Sequence, residues 1–222
     1  MSNFDTIIRK EYIDGLTDWM WPAQDTGLWI GPKDDWERVR PFILENCDGF
    51  HTAVQAGGGC GMYPRLLAQM FERVYTFEPD AYNFYCLANN CKEENIYKYN
   101  AALSDKHRTV TLVKPEPSNR GTGTISAGSH EIPNSGVIPA LMIDDFEYEK
   151  LDLIYLDIET YEKYAIKGAK NSINKHKPLI ACETVHNGVM EILEGWGYIA
   201  IERVGTDTFF MHKSKYKIKT YL

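Results

Sequence analysis

Two hydrophobic periods alternate along this chain, and the switches between them mark its elements. Ala53-Val54-Gln55-Ala56 reads as a strand that breaks at Gly57-Gly58-Gly59-Cys60-Gly61. Beyond the break, Leu66, Leu67 and Met70 fall at helical spacing behind Pro64, a residue that a first helical turn tolerates. Val74-Tyr75-Thr76-Phe77 is a second strand, closed by Glu78-Pro79, and Asp80 is placed to cap a helix carrying Phe84, Leu87, Ala88 and Cys91. Ile96 to Asn100 reads as a third strand. Leu151 to Ile158 is apolar except at Asp152 and Asp157, the pattern of a parallel strand buried on both faces. A helix from about Tyr161 to Lys175 stops before Pro178 and precedes a fifth strand, Leu179 to Glu183. A further helix, Gly188 to Trp196, stops at Gly197. Tyr198 to Val204 and Thr208 to His212, joined around Gly205-Thr206-Asp207, read as a hairpin. Between the third and fourth strands, Thr109 to Val113 alternate and then Pro, Gly, Ser and Asn accumulate, which predicts an inserted hairpin and loop over 107–146.

At 222 residues the chain supplies one well-buried core, so a single domain over 1–222 is expected, with an aromatic-rich leader and helix (1–48), a core (49–212) and a basic tail (213–222). A formal net charge of −7 argues against broad electrostatic capture of nucleic acid and favours a small or sugar-like partner. No apolar run approaches the roughly 20 residues that span a bilayer, which excludes a membrane partner and points to a cytoplasmic protein. The five cysteines are scattered without C-x-x-C spacing, so neither a disulfide framework nor a zinc site is expected. Four of the five tryptophans (Trp19, Trp21, Trp29, Trp36) precede the glycine turn, where they either pack the leader onto the core or form a flap over a planar or sugar-like ligand. Lys213, Lys215, Lys217 and Lys219 alternate as on a charge-guarded edge strand.

The glycine turn carries the chemistry. Glycines let backbone close on a ligand, and an acid at the end of the next strand, here Glu78, can hold two ribose hydroxyls, so the pair describes a nucleotide pocket. A dinucleotide fingerprint needs glycine at its sixth position to seat a pyrophosphate, and that position is Met62. The glycines fall instead at Gly57, Gly59 and Gly61, a G-x-G-x-G pattern similar to the first motif of class I S-adenosylmethionine-dependent methyltransferases.

Four blocks in order sharpen that likeness: Val54 to Gly61; Phe77-Glu78-Pro79; Asn100 to Asp105 (N-A-A-L-S-D); and Asp152 to Glu162, with I-E-T-Y-E at Ile158 to Glu162. Together they resemble the FkbM-type methyltransferases, whose members carry V-D-V-G-A-N-x-G, F-E-P, N-A-A-L-S and I-D-V-E-G-x-E. Ile143 to Phe146, Lys167-Gly168-Ala169 and Pro178 to Glu183 are similar to further segments of that family, and the likeness runs from about residue 50 to residue 212. The sequence departs from it where Gln55 replaces an acid, Gly58 and Gly59 replace Ala and Asn, and Thr160 replaces a glycine.

The resemblance implies an α/β, Rossmann-like class I methyltransferase fold: a mostly parallel seven-stranded sheet with a C-terminal antiparallel hairpin and helices on both faces. It implies S-adenosylmethionine as cofactor and S-adenosylhomocysteine as product, and methylation of a hydroxyl on a sugar or small metabolite. Gln55, Ala56, Gly57, Gly59 and Gly61 would lie against the methionine half, Gln55 through its amide oxygen. Glu78 would take the ribose, with Pro79 and Asp80 at its border, and Ala101 with Ala102 would wall the adenine. A hydroxyl becomes a good nucleophile when a base removes its proton. Asp157 and Glu159 at the end of the fourth strand, and Glu183 at the end of the fifth, are the candidate catalytic groups, with Asp157 also able to contact the cofactor. His186 is a further candidate base, and the glycine-rich 120–124 segment a candidate lid over the acceptor. Converging carboxylates are also the ligands a divalent cation takes, although no metal is predicted. An N-directed or macromolecule-directed enzyme of the same fold and a non-catalytic nucleotide-binding relative remain as alternatives; Met62 and the terminal hairpin speak against an NAD-dependent oxidoreductase.

Overall fold

A computed structural model describes residues 4–26, 31–113, 118–126 and 136–216. The leader forms β1 (Thr6–Arg9), β2 (Trp19–Pro22) and α1 (Gly31–Asn46). There follow β3 (Thr52–Ala56), α2 (Met62–Ala68), β4 (Arg73–Phe77), α3 (Ala81–Asn90), β5 (Ile96–Tyr99) and β6 (Ala102–Leu103). The insert contributes β7 (Arg108–Val113), a 3-10 turn (Arg120–Thr122), β8 (Thr124–Ser126) and β9 (Gly136–Leu141). After a 3-10 turn at Ile143–Asp145 come β10 (Leu153–Leu156), α4 (Glu162–Lys167), α5 (Lys170–His176), β11 (Leu179–Cys182), α6 (Val189–Gly195), β12 (Tyr198–Val204) and β13 (Asp207–His212).

The main sheet runs β12-β13-β11-β10-β3-β4-β5, with β11, β10, β3, β4 and β5 parallel and the β12–β13 hairpin antiparallel to them. Continuously apolar strands follow from burial on both faces. Leu153 and Tyr155 pack with Trp36, Leu66 and Phe209 on one face, while Ile154 and Leu156 pack with Ile166, Ile173 and Phe210 on the other. Each such side chain contributes about 1.5–3 kcal/mol relative to exposure, so the one-residue alternation fixes strand register as well as fold. Asp152 breaks the apolar run for a local reason. Its buried carboxylate accepts the backbone N–H of His51 (2.8 Å) and Thr52 (3.3 Å), tying the starts of β10 and β3.

The chain winds outward from β3 in one direction through α2, β4, α3 and β5, and in the other from β10 through α4 and α5 to β11. The order reverses between β3 and β10, and at such a point the crossover loops diverge and leave a crevice above the carboxyl ends of the strands.

The tryptophans of the leader pack inward. Trp19 is wholly buried under the Arg65 guanidinium (4.8 Å), and Trp36 is buried against Tyr63. Trp29 lies outside the described residues. Asn90 pairs with the backbone of Met20 as a strand would (2.7 and 2.8 Å) and donates to Cys60 O (2.7 Å), binding β2, α3 and the glycine turn.

Three expectations change. The 107–146 insert is more than a hairpin and loop. With β6 it builds a four-stranded sheet, β6-β9-β7-β8, because Ala102 and Leu103 pair in parallel with Ala140 and Leu141. The 161–175 helix is two helices: Gly168 sits so close to Ser104 that a Cβ would lie 1.9 Å from its carbonyl oxygen, and Asp144 caps α5 through Asn171 and Ser172 N–H. The tail is no edge strand over Lys213 to Lys215 but a turn, pinned by Lys215 to Asp48 (2.7 Å); Lys217 and Lys219 lie outside the described residues. Among the described residues all five cysteines are free thiols, and no helix is long and apolar enough to cross a membrane.

Candidate active site

Five parallel strands end along one crevice of about 350 Å³, in the order β11, β10, β3, β4, β5. At about 4.8 Å between neighbours, four steps set its floor at roughly 19 Å from end to end.

The centre is the turn after β3. Gly57 and Gly58 donate to Phe77 O (3.1 and 3.0 Å), which folds the turn back over β4. At Gly57, φ is +83°, and a Cβ would lie 1.8 Å from the Asp157 carbonyl oxygen, so no other residue fits there. At Gly59, φ is +52° and a Cβ would meet nothing within 4 Å. The turn therefore leaves an open cradle, and Glu78 faces it. Its carboxylate accepts the Gly59 N–H (2.7 Å) and the Asp80 N–H (2.8 Å), and burial pushes the acid up to about 8 despite those two bonds.

Towards β5 the walls are Pro79, Asn83, Ala101, Ala102 and Leu103, with Leu112 and Ile125 from the insert. Asp80 caps α3 through Tyr82 and Asn83 N–H (both 2.9 Å). Arg120 from the insert's 3-10 turn binds both oxygens of the same carboxylate (2.8 and 2.7 Å). The 120–124 segment therefore roofs the β4–β5 end, whereas the sequence had placed it over the acceptor. Trp21 and Asp25 of the leader complete that roof.

At the other end stand Asp157, just beyond β10, Glu183, just beyond β11, and Glu159 at the lip. Leu156 and Cys182 are register partners, so the two acids are neighbours across the sheet. Crowding by the surrounding protein, with Glu183 beside it, holds Asp157 well above the usual carboxylate range, although the residue is exposed at the crevice. Burial and Glu183 also raise Glu159. Glu159 and Thr160 both have positive φ (+52° and +76°), a strained pair where the related motif has one glycine, and Asn187 holds the Thr160 carbonyl (2.5 Å). Asp35 of α1, Tyr63 of α2 and Thr206 of the β12–β13 turn close this end. Behind it, Tyr155 donates to the buried carboxylate of Asp207, which burial pushes up to about 7 against that bond.

Of the residues singled out in the sequence, the crevice brings together Ala56, Gly57, Gly59, Glu78, Pro79, Ala101, Ala102, Asp157, Glu159 and Glu183. Gln55 and Gly61 do not line it. The Gln55 amide is wholly buried below the turn, its nitrogen donating to Ala56 O and Gly57 O (3.1 and 3.0 Å) and its oxygen accepting the Thr76 hydroxyl (2.6 Å). That corrects the expectation that its amide oxygen faces a ligand. Gly61 packs against Cys91 and Leu87 instead. His186 is exposed and stands away from the crevice. Asp35, Tyr63 and Asn83 were missed, since each enters through tertiary packing with no motif of its own, and Arg120 was expected only as part of the 120–124 lid. Among the described residues no group of three or more His, Cys, Asp or Glu is disposed to hold a metal ion.

The strand order, the crevice at the reversal point and the glycine-turn-to-acid pairing define a Rossmann-like class I methyltransferase fold. A family model for the methyltransferase FkbM domain matches residues 64–200, more than half of the chain, and the protein belongs to that family. Among solved structures, methyltransferase FkbM of Methylobacillus flagellatus KT is 19% identical with a TM-score of 0.51, over 73% of this chain and 44% of that one. The chain thus spans under half the length of that relative. An rRNA methylase from Streptococcus thermophilus (15% identity, 78% of this chain, 90% of that one, TM-score 0.44) is also similar. So is TrmK of M. capricolum in complex with S-adenosyl-homocysteine (9% identity, 77% of this chain, 65% of that one, TM-score 0.42). No curated protein matches the sequence.

Proposed function

We propose that this protein transfers a methyl group from S-adenosylmethionine to a hydroxyl of a neutral, hydroxyl-rich small molecule such as a sugar. The observation that carries the reading is the polarity of the crevice. A cradle facing a buried acid lies at the β3–β4 ends, and carboxylic acids with no lining cation among the described residues lie at the β10–β11 ends. The open space at Gly59, with Glu78 facing it, fits a nucleoside whose ribose hydroxyls donate to the carboxylate. Ala101, Ala102, Leu103 and Ile125 offer a flat apolar wall to the adenine. When bound, S-adenosylmethionine supplies an electrophilic methyl group on a sulfonium.

The remaining work falls to the chain. Asp157 takes the proton of the acceptor hydroxyl, Glu183 shares its hydrogen-bonding space, and Glu159 orients neighbouring hydroxyls. Burial and the neighbouring Glu183 hold Asp157 above the usual carboxylate range, which favours its taking up a proton. Among the described residues the one lining cation, Arg120, sits at the far end on Asp80. Phosphate-bearing or carboxylate-bearing acceptors, RNA included, would meet Asp35, Asp157, Glu159 and Glu183 with no compensating cation among the described residues of that wall.

Isothermal titration with S-adenosylhomocysteine, with NAD in parallel, tests the cofactor. Micromolar binding of the former alone supports the reading, and binding of NAD alone overturns it. Transfer of labelled methyl to neutral polyols, and none to sugar phosphates or RNA, supports the acceptor class; the reverse overturns it.

A further inference from the structure

Two parts of the molecule that the parallel sheet does not require, the insert and the leader, meet the start of α3 at one residue. Arg120, in the insert, forms its two-oxygen ion pair with Asp80 at the start of α3. The backbone N–H of Arg120 donates to Asp25 of the leader (3.3 Å), and its carbonyl accepts from Asn83 of α3 (3.1 Å). Its guanidinium also lies over the Tyr82 ring at 4.8 Å. A second join, Thr26 N–H to Ser118 O (3.1 Å), fastens leader to insert beside it. Both partners of the ion pair are largely shielded from water, 13% and 6% exposed. One guanidinium nitrogen, Nη2, holds both oxygens, and an ion pair shielded in that setting is slower to open than an exposed one.

The pair also reaches the ligand cradle without touching a ligand. Asp80 N–H holds Glu78, and Glu78 in turn holds Gly59 N–H, so the insert is connected through Arg120, Asp80 and Glu78 to the glycine turn. We infer that Arg120 is a positioning residue for the cofactor. The Arg120–Asp80 pair is a latch that closes the leader and the insert over the nucleoside end, and its opening sets how long the cofactor stays bound. The inference rests on the S-adenosylmethionine reading of the crevice.

The test is the dissociation rate of S-adenosylhomocysteine from the full chain, measured by stopped-flow displacement for four forms. These are wild type, Arg120→Met, Asp80→Asn and the double variant. Asparagine caps a helix as well as aspartate does, so Asp80→Asn removes the charge and keeps α3. Each single variant should release the ligand at least tenfold faster, the double variant no faster than either single one, and Arg120→Lys should recover part of the loss. A rate unchanged in Arg120→Met, or single effects that multiply in the double variant, overturns the latch. Amide hydrogen exchange over 118–126 without ligand separates this from failure of the cofactor reading. Faster exchange in Arg120→Met than in wild type is expected; equal exchange overturns the latch whatever the crevice binds. Wild type that binds no S-adenosylhomocysteine overturns the cofactor reading, and with it the latch's role in cofactor residence.

Discussion

The two ends of the crevice are built on opposite principles. At the β4–β5 end the acids are committed before any ligand arrives. Glu78 has an N–H on each oxygen, and Asp80 carries Arg120 and two helix N–H groups. At the β10–β11 end Asp157, Glu159 and Glu183 face one another, and like charge adds to burial in raising Asp157 and Glu159. An end whose groups are already satisfied holds a shape, as a binding site for one fixed ligand should. An end where one acid raises its neighbours, as Glu183 raises Asp157 and Glu159, favours the uptake of a proton, as a site for chemistry should.

The comparison breaks most readily at Asp157. Asp157→Asn should lower methyl transfer about 10²- to 10⁴-fold, the usual worth of a general base, while S-adenosylhomocysteine affinity measured by titration changes by only a few fold. Because the acid is held high, activity in wild type should rise with pH beyond the ordinary carboxylate range. Glu183→Gln should move that rise to lower pH, since it removes the like charge. An unmoved pH profile would place the base elsewhere.

Next in size is Asp207, behind the same end. A carboxyl of ordinary pKa 3.8 pushed up to about 7 keeps its proton in the folded state where the unfolded chain has released it. Stability is therefore lost as pH rises between about 4 and 7, at about 1.4 kcal/mol per unit. Asp207→Asn, which still accepts from Tyr155, should gain on wild type by on the order of 3 kcal/mol when both are unfolded at pH 8 and compared with pH 5. Equal gains at the two pH values would show that Asp207 is satisfied after all.

At the committed end, Glu78→Ala should weaken S-adenosylhomocysteine by on the order of 1–3 kcal/mol, the cost of leaving buried ribose hydroxyls without their hydrogen-bond partner. Unchanged affinity would move the pocket. Smallest is Thr160→Gly. Relieving a φ of +76° should add about 1 kcal/mol to unfolding free energy and leave cofactor affinity alone, placing the strain on the acceptor side of the crevice.

Legibility in the sequence follows the same division. The strands around the crevice were readable because burial on both faces leaves a continuous apolar run, and Glu78 was readable because it closes such a run after a glycine turn. The insert's second sheet was not, since β6 finds β9 across more than thirty residues and two dipeptides carry no period. The α4–α5 break was hidden because its cause, the carbonyl of Ser104 against Gly168, is a contact between distant segments. Gln55 misled for the opposite reason. It stands where an acid belongs in the related motif, but Thr76 on the neighbouring strand turns its amide away from the crevice. Asp35 belongs to a segment with no fixed spacing from the motifs, so only packing reveals it, and Arg120 was legible as part of a glycine-rich lid but not as the partner of Asp80.

The seat of Gly57 against the Asp157 carbonyl makes the glycine turn and the acidic end one casting. Evolution or a designer seeking a new acceptor cannot reshape the β10 end without disturbing the turn that holds the other ligand. Freedom to diversify lies instead in Asp35 on α1 and Thr206 in the terminal hairpin turn, walls that border the crevice from outside the casting.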